Sequence, residues 1–130
     1  MGSEMCIRDS IHVVDFAPQY ELLERVDVAI IHGGIGSIQQ CVAQEVPMVV
    51  HRFGDVDQPG CAVRIEHHGL GRRVDLLTVT PDELQRVTDA VRTDQPTRAR
   101  LKVLAQQSAA YATNAVFEKL VDRIRTQPTS

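Results

Sequence analysis

The chain has 130 residues, a formal net charge of −3 and a sequence pI near 5.9. This length fits one domain that can bury a core, but it is short for a two-site enzyme. The slight acidity and the presence of only two Tyr and three Phe argue against a nucleic-acid surface, which needs a basic patch with stacking rings. No apolar run approaches the roughly 20 residues that cross a bilayer, and no cleavable signal pattern is present. A cytoplasmic protein without a transmembrane segment is therefore expected.

The ends of the chain differ from its middle. Residues 1–10 have neither helical nor strand periodicity and resemble an expression or sequence-assembly leader. We therefore predict a non-native or disordered leader over 1–10, one folded domain over 11–126 and a frayed tail over 127–130. The domain begins abruptly with Ile11-His12-Val13-Val14, already a predicted strand, which suggests that upstream coding sequence has been lost and that the chain is a fragment.

Short β-rich runs alternate with helix-like stretches along residues 11–74. The predicted strands are Ile11–Asp15, Val26–Ile31, Met48–His51 and Arg72–Val74, and the predicted helices are Pro18–Glu24, Ser37–Gln44 and Gln58–His68. This alternation is typical of a parallel sheet, and the continuous apolar runs Val28–Ile31 and Met48–Val50 predict strands covered on both faces. Ligands of such sheets bind at the carboxyl ends of the strands, so a site is expected in the loops after Ile31 and Val50.

The C-terminal third of the chain is predicted to contribute helices to the core and no ligand-binding residues. Thr80-Pro81-Asp82-Glu83 combines an N-cap, a first-turn proline and a glutamate, and predicts a helix from Pro81 to about Arg92. Its buried face would contain Leu84, Val87 and Val91. After Pro96 a mixed three-and-four spacing of apolar or small residues predicts one long or broken amphipathic helix, whose stripe is Leu101, Leu104, Ser108, Tyr111, Ala115, Leu120 and Ile124.

A glycine-dense turn, His32-Gly33-Gly34-Ile35-Gly36-Ser37, connects the second predicted strand to the second predicted helix. Glycines let the backbone approach a ligand, and the free N–H groups of a helix's first turn favour a phosphate. Ser37 and Gln40 fit a capping box at the start of this helix. The turn is a candidate anion site, and the alternative is a tight strand-to-helix turn without a ligand.

Four blocks of residues match a known family in chain order. They are Phe16-Ala17-Pro18-Gln19, the His32–Ser37 turn, Val46-Pro47-Met48-Val49-Val50 and Asp57-Gln58. Together they resemble the donor-binding signature of UDP-glycosyltransferase-like enzymes with the GT-B fold, over roughly Val13 to Leu120. The resemblance implies a Rossmann-like three-layer α/β/α sandwich with a parallel sheet, forming the C-terminal, nucleotide-sugar-binding half of such an enzyme. In the family the acceptor site and the usual catalytic base belong to the N-terminal half, which would be missing here.

The resemblance also implies a role for each matched residue. Phe16 and Gln19 would hold the base, Gln40 the ribose, and Asp57 and Gln58 the sugar hydroxyls. The diphosphate would be held by the turn, whose matched residues are His32, Gly33, Gly34, Gly36 and Ser37. His32 would stabilise the leaving group, because an imidazole N–H can stabilise the charge that grows on the departing nucleotide. No other catalytic residue is expected in this chain.

Each of these roles has a structural alternative. The ring of Phe16 could pack in the core, and His32 could be a hydrogen-bonded residue at a strand end. Gln40 could serve only the capping box. Asp57 and Gln58 could cap the helix that they precede. The alternatives stay open at the level of the sequence.

The chain departs from the family pattern at several positions. Gln40 replaces a frequent glutamate, and Cys61 replaces a common asparagine. Gln44-Glu45 replaces a common glycine before Val-Pro, so this helix is expected to close without its usual left-handed residue. Arg52 lies in a segment that often contains proline, and it could meet the donor phosphate or pair with Asp55. The identities of the donor sugar and nucleotide therefore stay open.

Neither a cofactor nor a metal is expected. Adjacent histidines on a helix point about 100 degrees apart, so His67-His68 with His51 do not form a convincing ligand set. The turn lacks the Lys of a Walker loop and the spacing of a dinucleotide fingerprint, which argues against a nicotinamide. The cysteines are odd in number and lack paired metal spacing, which predicts buried or free thiols at Cys6, Cys41 and Cys61.

These observations lead to one main hypothesis and two alternatives. The main hypothesis is the donor-binding part of a glycosyltransferase that moves a hexosyl group from a UDP- or dTDP-sugar to an acceptor. The chain alone would be inactive, because an acceptor-binding domain must be supplied in the same polypeptide or by a partner. One alternative is a stand-alone donor-binding subunit that needs such a partner. The other is a sugar-nucleotide epimerase-like domain, which would need its own acid and base residues.

Overall fold

The computed structural model of the chain describes residues 5–8, 11–51, 58–111, 119 and 122–123. The strands are β1 (Met5–Arg8), β2 (Ile11–Val13), β3 (Ala29–Ile31), β4 (Met48–His51) and β5 (Gly71–Val74). The helices are α1 (Gln19–Leu23), α2 (Ile35–Ala43), α3 (Gln58–His67), α4 (Pro81–Thr93) and α5 (Gln95–Tyr111). Each strand and helix predicted over residues 11–92 is present, with shifted ends.

The central sheet is parallel and has the strand order β3-β4-β5. Ile31 lies beside Val50, and His51 lies beside Val74. The three carboxyl ends therefore meet at one edge of the sheet, as the strand–helix alternation predicts. We call this edge, with the described loops that follow Ile31 and Val74, the carboxyl rim.

Helices cover both faces of this sheet. Met48 and Val50 on one face pack in a buried cluster contributed by α1, α2, α3 and α5, with Leu23, Ile38, Cys41, Val42, Ala62, Ile65 and Leu101 among its members. Val49 points to the other face and packs with Val74 and Val91, against which the half-buried Leu84 and Val87 of α4 lie. The side chains of β4 therefore alternate between two buried clusters, since successive residues of a strand point to opposite faces. The predicted three-layer α/β/α sandwich and the predicted buried face of α4 are confirmed.

The prediction that β3 is covered on both faces is wrong. β4 is buried at every residue, but Ile30 of β3 is 49% exposed. Among the described strands β3 is an edge of the parallel sheet, with β4 as its partner. The apolar run alone could not distinguish the two cases, because apolar composition reports burial only when a neighbouring layer is present.

The beginning of the described chain also differs from expectation. β2 does not join the parallel sheet but pairs antiparallel with β1, with Cys6 opposite His12. All residues of β2 are exposed. Met5–Arg8 lies within the segment predicted as a leader and is extended in the structure, while the native or non-native origin of that segment stays a prediction.

Two helix ends show how local sequence sets the element boundaries. Thr80 caps α4 as predicted, because its Oγ1 accepts a hydrogen bond from the Glu83 N–H at 3.2 Å. α2 closes with Glu45 in the left-handed region at φ 56°. Glu45 N–H donates to the Val42 carbonyl, and Val46 N–H donates to the Cys41 carbonyl, which is a Schellman ending. The expectation that α2 closes without a left-handed residue is therefore wrong, since glutamate takes the position that glycine usually fills.

The last described helix follows its predicted stripe only in part. Leu101 is fully buried and Leu104 packs beside it, but Tyr111 is 82% exposed. Ala115, Leu120 and Ile124 lie outside the described residues. Among the helices described, none has the length and apolarity that a membrane crossing requires.

Candidate functional site

The turn between β3 and α2 lies on the carboxyl rim and has a constrained backbone. Gly33 adopts φ 85°, a conformation that residues with a Cβ rarely take. Gly34 lies directly under the imidazole of His32, because a Cβ built at Gly34 would be 2.7 Å from His32 Nε2. A side chain at position 34 would therefore displace the ring. The two glycines let the chain reverse tightly while an exposed imidazole stays over the start of α2.

The first turn of α2 is open to a ligand. α2 begins at Ile35, two residues earlier than predicted, and Gly34 is its N-cap without any side-chain cap. The predicted capping box of Ser37 with Gln40 is therefore wrong, because Ser37 is the third helical residue and not the cap. The first intrahelical bond runs from Ile38 N–H to the Gly34 carbonyl. The N–H groups of Ile35, Gly36 and Ser37 precede it and form the partly positive end of the helix dipole.

One turn further along α2, Gln40 has an unsatisfied polar atom. Its Oε1 is buried and accepts no hydrogen bond within the part of the chain that the structure describes. A buried acceptor without a partner costs about 1–3 kcal/mol. Ser37 and Gln40 lie three residues apart and therefore share one side of the helix. A donor hydroxyl from a ligand on that side would satisfy Gln40.

The residues predicted to hold a base are accessible. Phe16 is 85% exposed, which excludes the alternative that it packs in the core. Gln19 is exposed and begins α1, which packs against α2 through buried residues that include Leu23 and Ile38. The described contacts link Phe16 and Gln19 to the His32 turn only through the packing of α1 on α2.

Of the two residues predicted to contact the sugar, Asp57 lies outside the described residues and Gln58 lies within them. Arg52 and Asp55 also lie outside the described residues. Gln58 is the first residue of α3, so the helix start predicted for this pair is confirmed for its second member. The described chain stops at His51, the last residue of β4, and resumes at Gln58.

His51 is a residue of the rim that sequence reasoning considered only as a metal ligand. It is 7% exposed at the end of β4, and its Nδ1 accepts a hydrogen bond from the Leu76 N–H at 3.1 Å. This bond fixes the protonated nitrogen of the neutral ring as Nε2. His51 thus ties the loop after β5 to the carboxyl end of the central strand. The sequence feature that could have indicated this role is a polar residue at the carboxyl end of an otherwise apolar strand.

The thiol of Cys41 on α2 is not suited to chemistry. Its side chain is fully buried in the core, and burial raises its pKa from 9.0 to about 11. A thiol is a poor nucleophile in its neutral form. Cys41 and Cys61 are both free, which agrees with the absence of a disulfide frame predicted for them.

A parallel sheet between helices, with a glycine turn leading into an uncapped helix on its carboxyl rim, is the architecture of a Rossmann-like α/β domain. Residues 3–122 match the family described as Erythromycin biosynthesis protein CIII-like, C-terminal domain. The chain belongs to this family of C-terminal domains of UDP-glycosyltransferases, and the resemblance predicted from the four sequence blocks is confirmed.

Curated relatives carry glycosyltransferase names. The chain is 29% identical over 114 residues to a zeaxanthin glucosyltransferase of Pantoea ananas, covering 88% of this chain and 21% of the relative. It is 32% identical over 114 residues to the UDP-glucosyltransferase YdhE of Bacillus subtilis (strain 168), covering 87% of this chain and 29% of the relative. The chain thus spans less than a third of these relatives. The epimerase-like alternative is not favoured by these matches.

Solved structures confirm the fold. The glycotransferase of kitacinnamycin matches with a TM-score of 0.78 at 35% identity, covering 84% of this chain and 28% of that one. The glycosyltransferase VinC, solved in complex with dTDP, matches with a TM-score of 0.78 at 22% identity, covering 91% of this chain and 30% of that one. The predicted C-terminal part of a GT-B fold is therefore confirmed.

Proposed function

We propose that this chain is the donor-binding part of a glycosyltransferase that transfers a hexosyl group from a UDP- or dTDP-sugar. The diphosphate lies over the first turn of α2, between the N–H groups of Ile35 to Ser37 and the imidazole of His32. The observation that carries this proposal is the uncapped start of α2 under the exposed His32 ring. The names of the relatives, which include UDP-glucosyltransferases, and a neighbour solved with dTDP support the same ligand class.

The remaining contacts follow the path of a nucleotide away from that turn. The exposed ring of Phe16 stacks on the base, and Gln19 reads its edge. A ribose hydroxyl donates to the buried Oε1 of Gln40 and satisfies it. The Asp57 carboxylate accepts hydrogen bonds from the sugar hydroxyls, and the Gln58 amide both accepts from them and donates to them.

The chemistry of this half is stabilisation of a leaving group. An acceptor hydroxyl oxygen bonds to the anomeric carbon while the bond from that carbon to the diphosphate oxygen breaks, so negative charge grows on the nucleotide. His32 and the first turn of α2 stabilise that charge more strongly in the transition state than in the bound donor. The acceptor proton passes to a base in a separate acceptor-binding domain, which works with this chain in cis or in trans. The free thiols of Cys41 and Cys61 support a cytoplasmic location.

Calorimetric titration of the 130-residue chain with UDP tests the proposal. We expect binding by the wild-type chain, at least about tenfold weaker binding by His32→Ala, and unchanged binding by His67→Ala. His67 is an exposed histidine at the end of α3 and controls for the loss of an imidazole as such. Circular dichroism establishes that each variant is folded. A folded wild-type chain that binds no UDP at millimolar concentration overturns the proposal.

A further inference from the structure

A second polar cavity lies at the opposite edge of the sheet from the carboxyl rim. It has a volume of about 410 Å³ and is bounded by the end of α3, the start of β5 and the junction of α4 with α5. The residues that define its chemistry are Glu66, His67, His68, Arg72, Asp94 and Arg100. Gly71 and Arg72 begin β5, so the cavity is at the amino end of that strand.

Two guanidinium groups face this cavity without a carboxylate in contact. Arg100 donates to the Gly69 carbonyl at 3.4 Å, and the side chain of Arg72 makes no hydrogen bond to the described part of the chain. The nearby ion pairs use other arginines, since Arg73 pairs with Glu66 and Arg92 pairs with Asp89. Most N–H groups of Arg72 and Arg100 are therefore available to an external acceptor.

The two carboxylates that line the cavity are engaged elsewhere. Glu66 pairs with Arg73 at 3.6 Å. Asp94 caps α5 by accepting hydrogen bonds from the N–H and the hydroxyl of Thr97. The hydrogen bond from the Thr97 hydroxyl lowers the pKa of Asp94, and the Thr97 N–H and the positive field of Arg100 and Arg72 add smaller effects in the same direction, so Asp94 stays ionised at neutral pH as an ordinary aspartate does. With Glu66 neutralised by Arg73, two arginines and one carboxylate leave the cavity with a formal charge of +1.

We propose that this cavity binds a phosphate group of a small molecule, held by Arg72 and Arg100 with His67 and His68 at its border. A guanidinium presents paired N–H donors that match two phosphate oxygens, which makes two arginines on one cavity a suitable receptor. The cavity volume exceeds that of inorganic phosphate, so a phosphorylated metabolite also fits. This phosphate site is separate from the donor site on the carboxyl rim.

Titration of the chain with inorganic phosphate, repeated in a His32→Ala background, tests the proposal, because His32→Ala weakens binding at the turn and leaves the cavity intact. We expect saturable binding of one phosphate, weakened about tenfold or more by Arg72→Gln and by Arg100→Gln. The matched control is Arg86→Gln, which removes the same charge from α4 outside the cavity and is expected to change the affinity less than twofold. UDP affinity is expected to stay unchanged in all three variants. Glucose 1-phosphate in place of inorganic phosphate separates a metabolite site, which binds the ester more tightly, from a site for the free ion.

Two results overturn this inference. One is the absence of phosphate binding by the wild-type chain up to tens of millimolar, and the other is an equal loss in Arg72→Gln and Arg86→Gln, which would indicate a general charge effect. Phosphate binding that survives His32→Ala and is lost in Arg72→Gln belongs to the cavity, whereas failure of the wild-type chain to bind UDP concerns the proposed function, so the two failures are distinguished.

Discussion

Substitution of Gly36 by alanine should change the stability of the domain and its affinity for UDP in opposite directions. It is the second helical residue of α2, and a Cβ added there meets no atom within 4 Å. Replacing glycine by alanine in a helix stabilises the folded state by about 0.5–1 kcal/mol, because the unfolded chain loses conformational freedom. At an m-value of about 1.5 kcal/mol/M, Gly36→Ala should raise the midpoint of urea unfolding by about 0.3–0.7 M.

The same methyl group should weaken UDP binding. A diphosphate over the first turn of α2 approaches the backbone at Gly36 closely, and a methyl there forces it away from the N–H groups. The loss of one charge-assisted hydrogen bond, about 1.5–3 kcal/mol, corresponds to a fall in affinity of about tenfold or more. Gly36→Ala is thus expected to be more stable and less active in binding, a combination that general damage to the fold cannot produce.

Gly60→Ala is the matched control for this experiment. Gly60 also lies in a helix, α3, and a Cβ there also meets nothing within 4 Å. It should gain similar stability and keep the UDP affinity of the wild-type chain. Unchanged UDP affinity in Gly36→Ala would refute a phosphate over the first turn of α2, and a loss of stability would refute the unobstructed helical position of Gly36.

Three further predictions concern stability. Glu45→Gly should raise the free energy of unfolding by up to about 1 kcal/mol, because the left-handed φ of 56° costs a glutamate more than a glycine. Glu45→Val should lower the free energy of unfolding. The opposite order of the two variants in urea unfolding would contradict the Schellman ending. Gly71→Ala places a Cβ 1.9 Å from the Met48 carbonyl oxygen and should cost about 3 kcal/mol or more, so a loss below about 1 kcal/mol would contradict the β4–β5 register. The raised pKa of Cys41, about 11 against 9.0, means that the folded state retains a proton that the unfolded state loses. The thiol should therefore lower stability by about 2 kcal/mol between pH 9 and 11, and Cys41→Ala but not Cys61→Ala should remove this fall.

Local patterns predicted the elements of the fold but not all of their neighbours. Thr80 and Pro81 identify the start of α4, and the apolar run of β4 identifies a buried strand, because both signals act within a few residues. The exposure of Ile30 depends on which segments pack against β3, and those segments are far apart from it in the sequence. The pairing of β2 with β1 involves a neighbouring segment, but residues 1–10 carry no strand periodicity that would predict it. Apolar composition is the same for a central strand and for one with a free edge, so it could not decide between them.

The same distinction between local and distant signals applies to the candidate site. The glycine turn and its position at the carboxyl end of a strand follow from the sequence, since glycine density and the apolar run are local. The role of His51 does not follow, because its Nδ1 is bonded to Leu76, 25 residues away. The start of α2 was misplaced by two residues because Ser37 and Gln40 fit a capping box, a pattern that the actual helix does not use.

The start of α2 lacks a side-chain cap and has an imidazole beside it. Like α1, whose N-cap is Pro18, α2 has no side-chain cap at its N-cap Gly34, whereas α4 and α5 satisfy first-turn N–H groups with Thr80 and Asp94. A serine at position 34 would supply a cap, commonly about 1 kcal/mol of stability. Its Cβ, however, would lie 2.7 Å from Nε2 of His32 and displace the ring. One glycine therefore keeps both the imidazole and the backbone donors directed at the same space. The missing side-chain cap at Gly34, together with the adjacent imidazole, therefore supports the anion site that we propose at the start of α2.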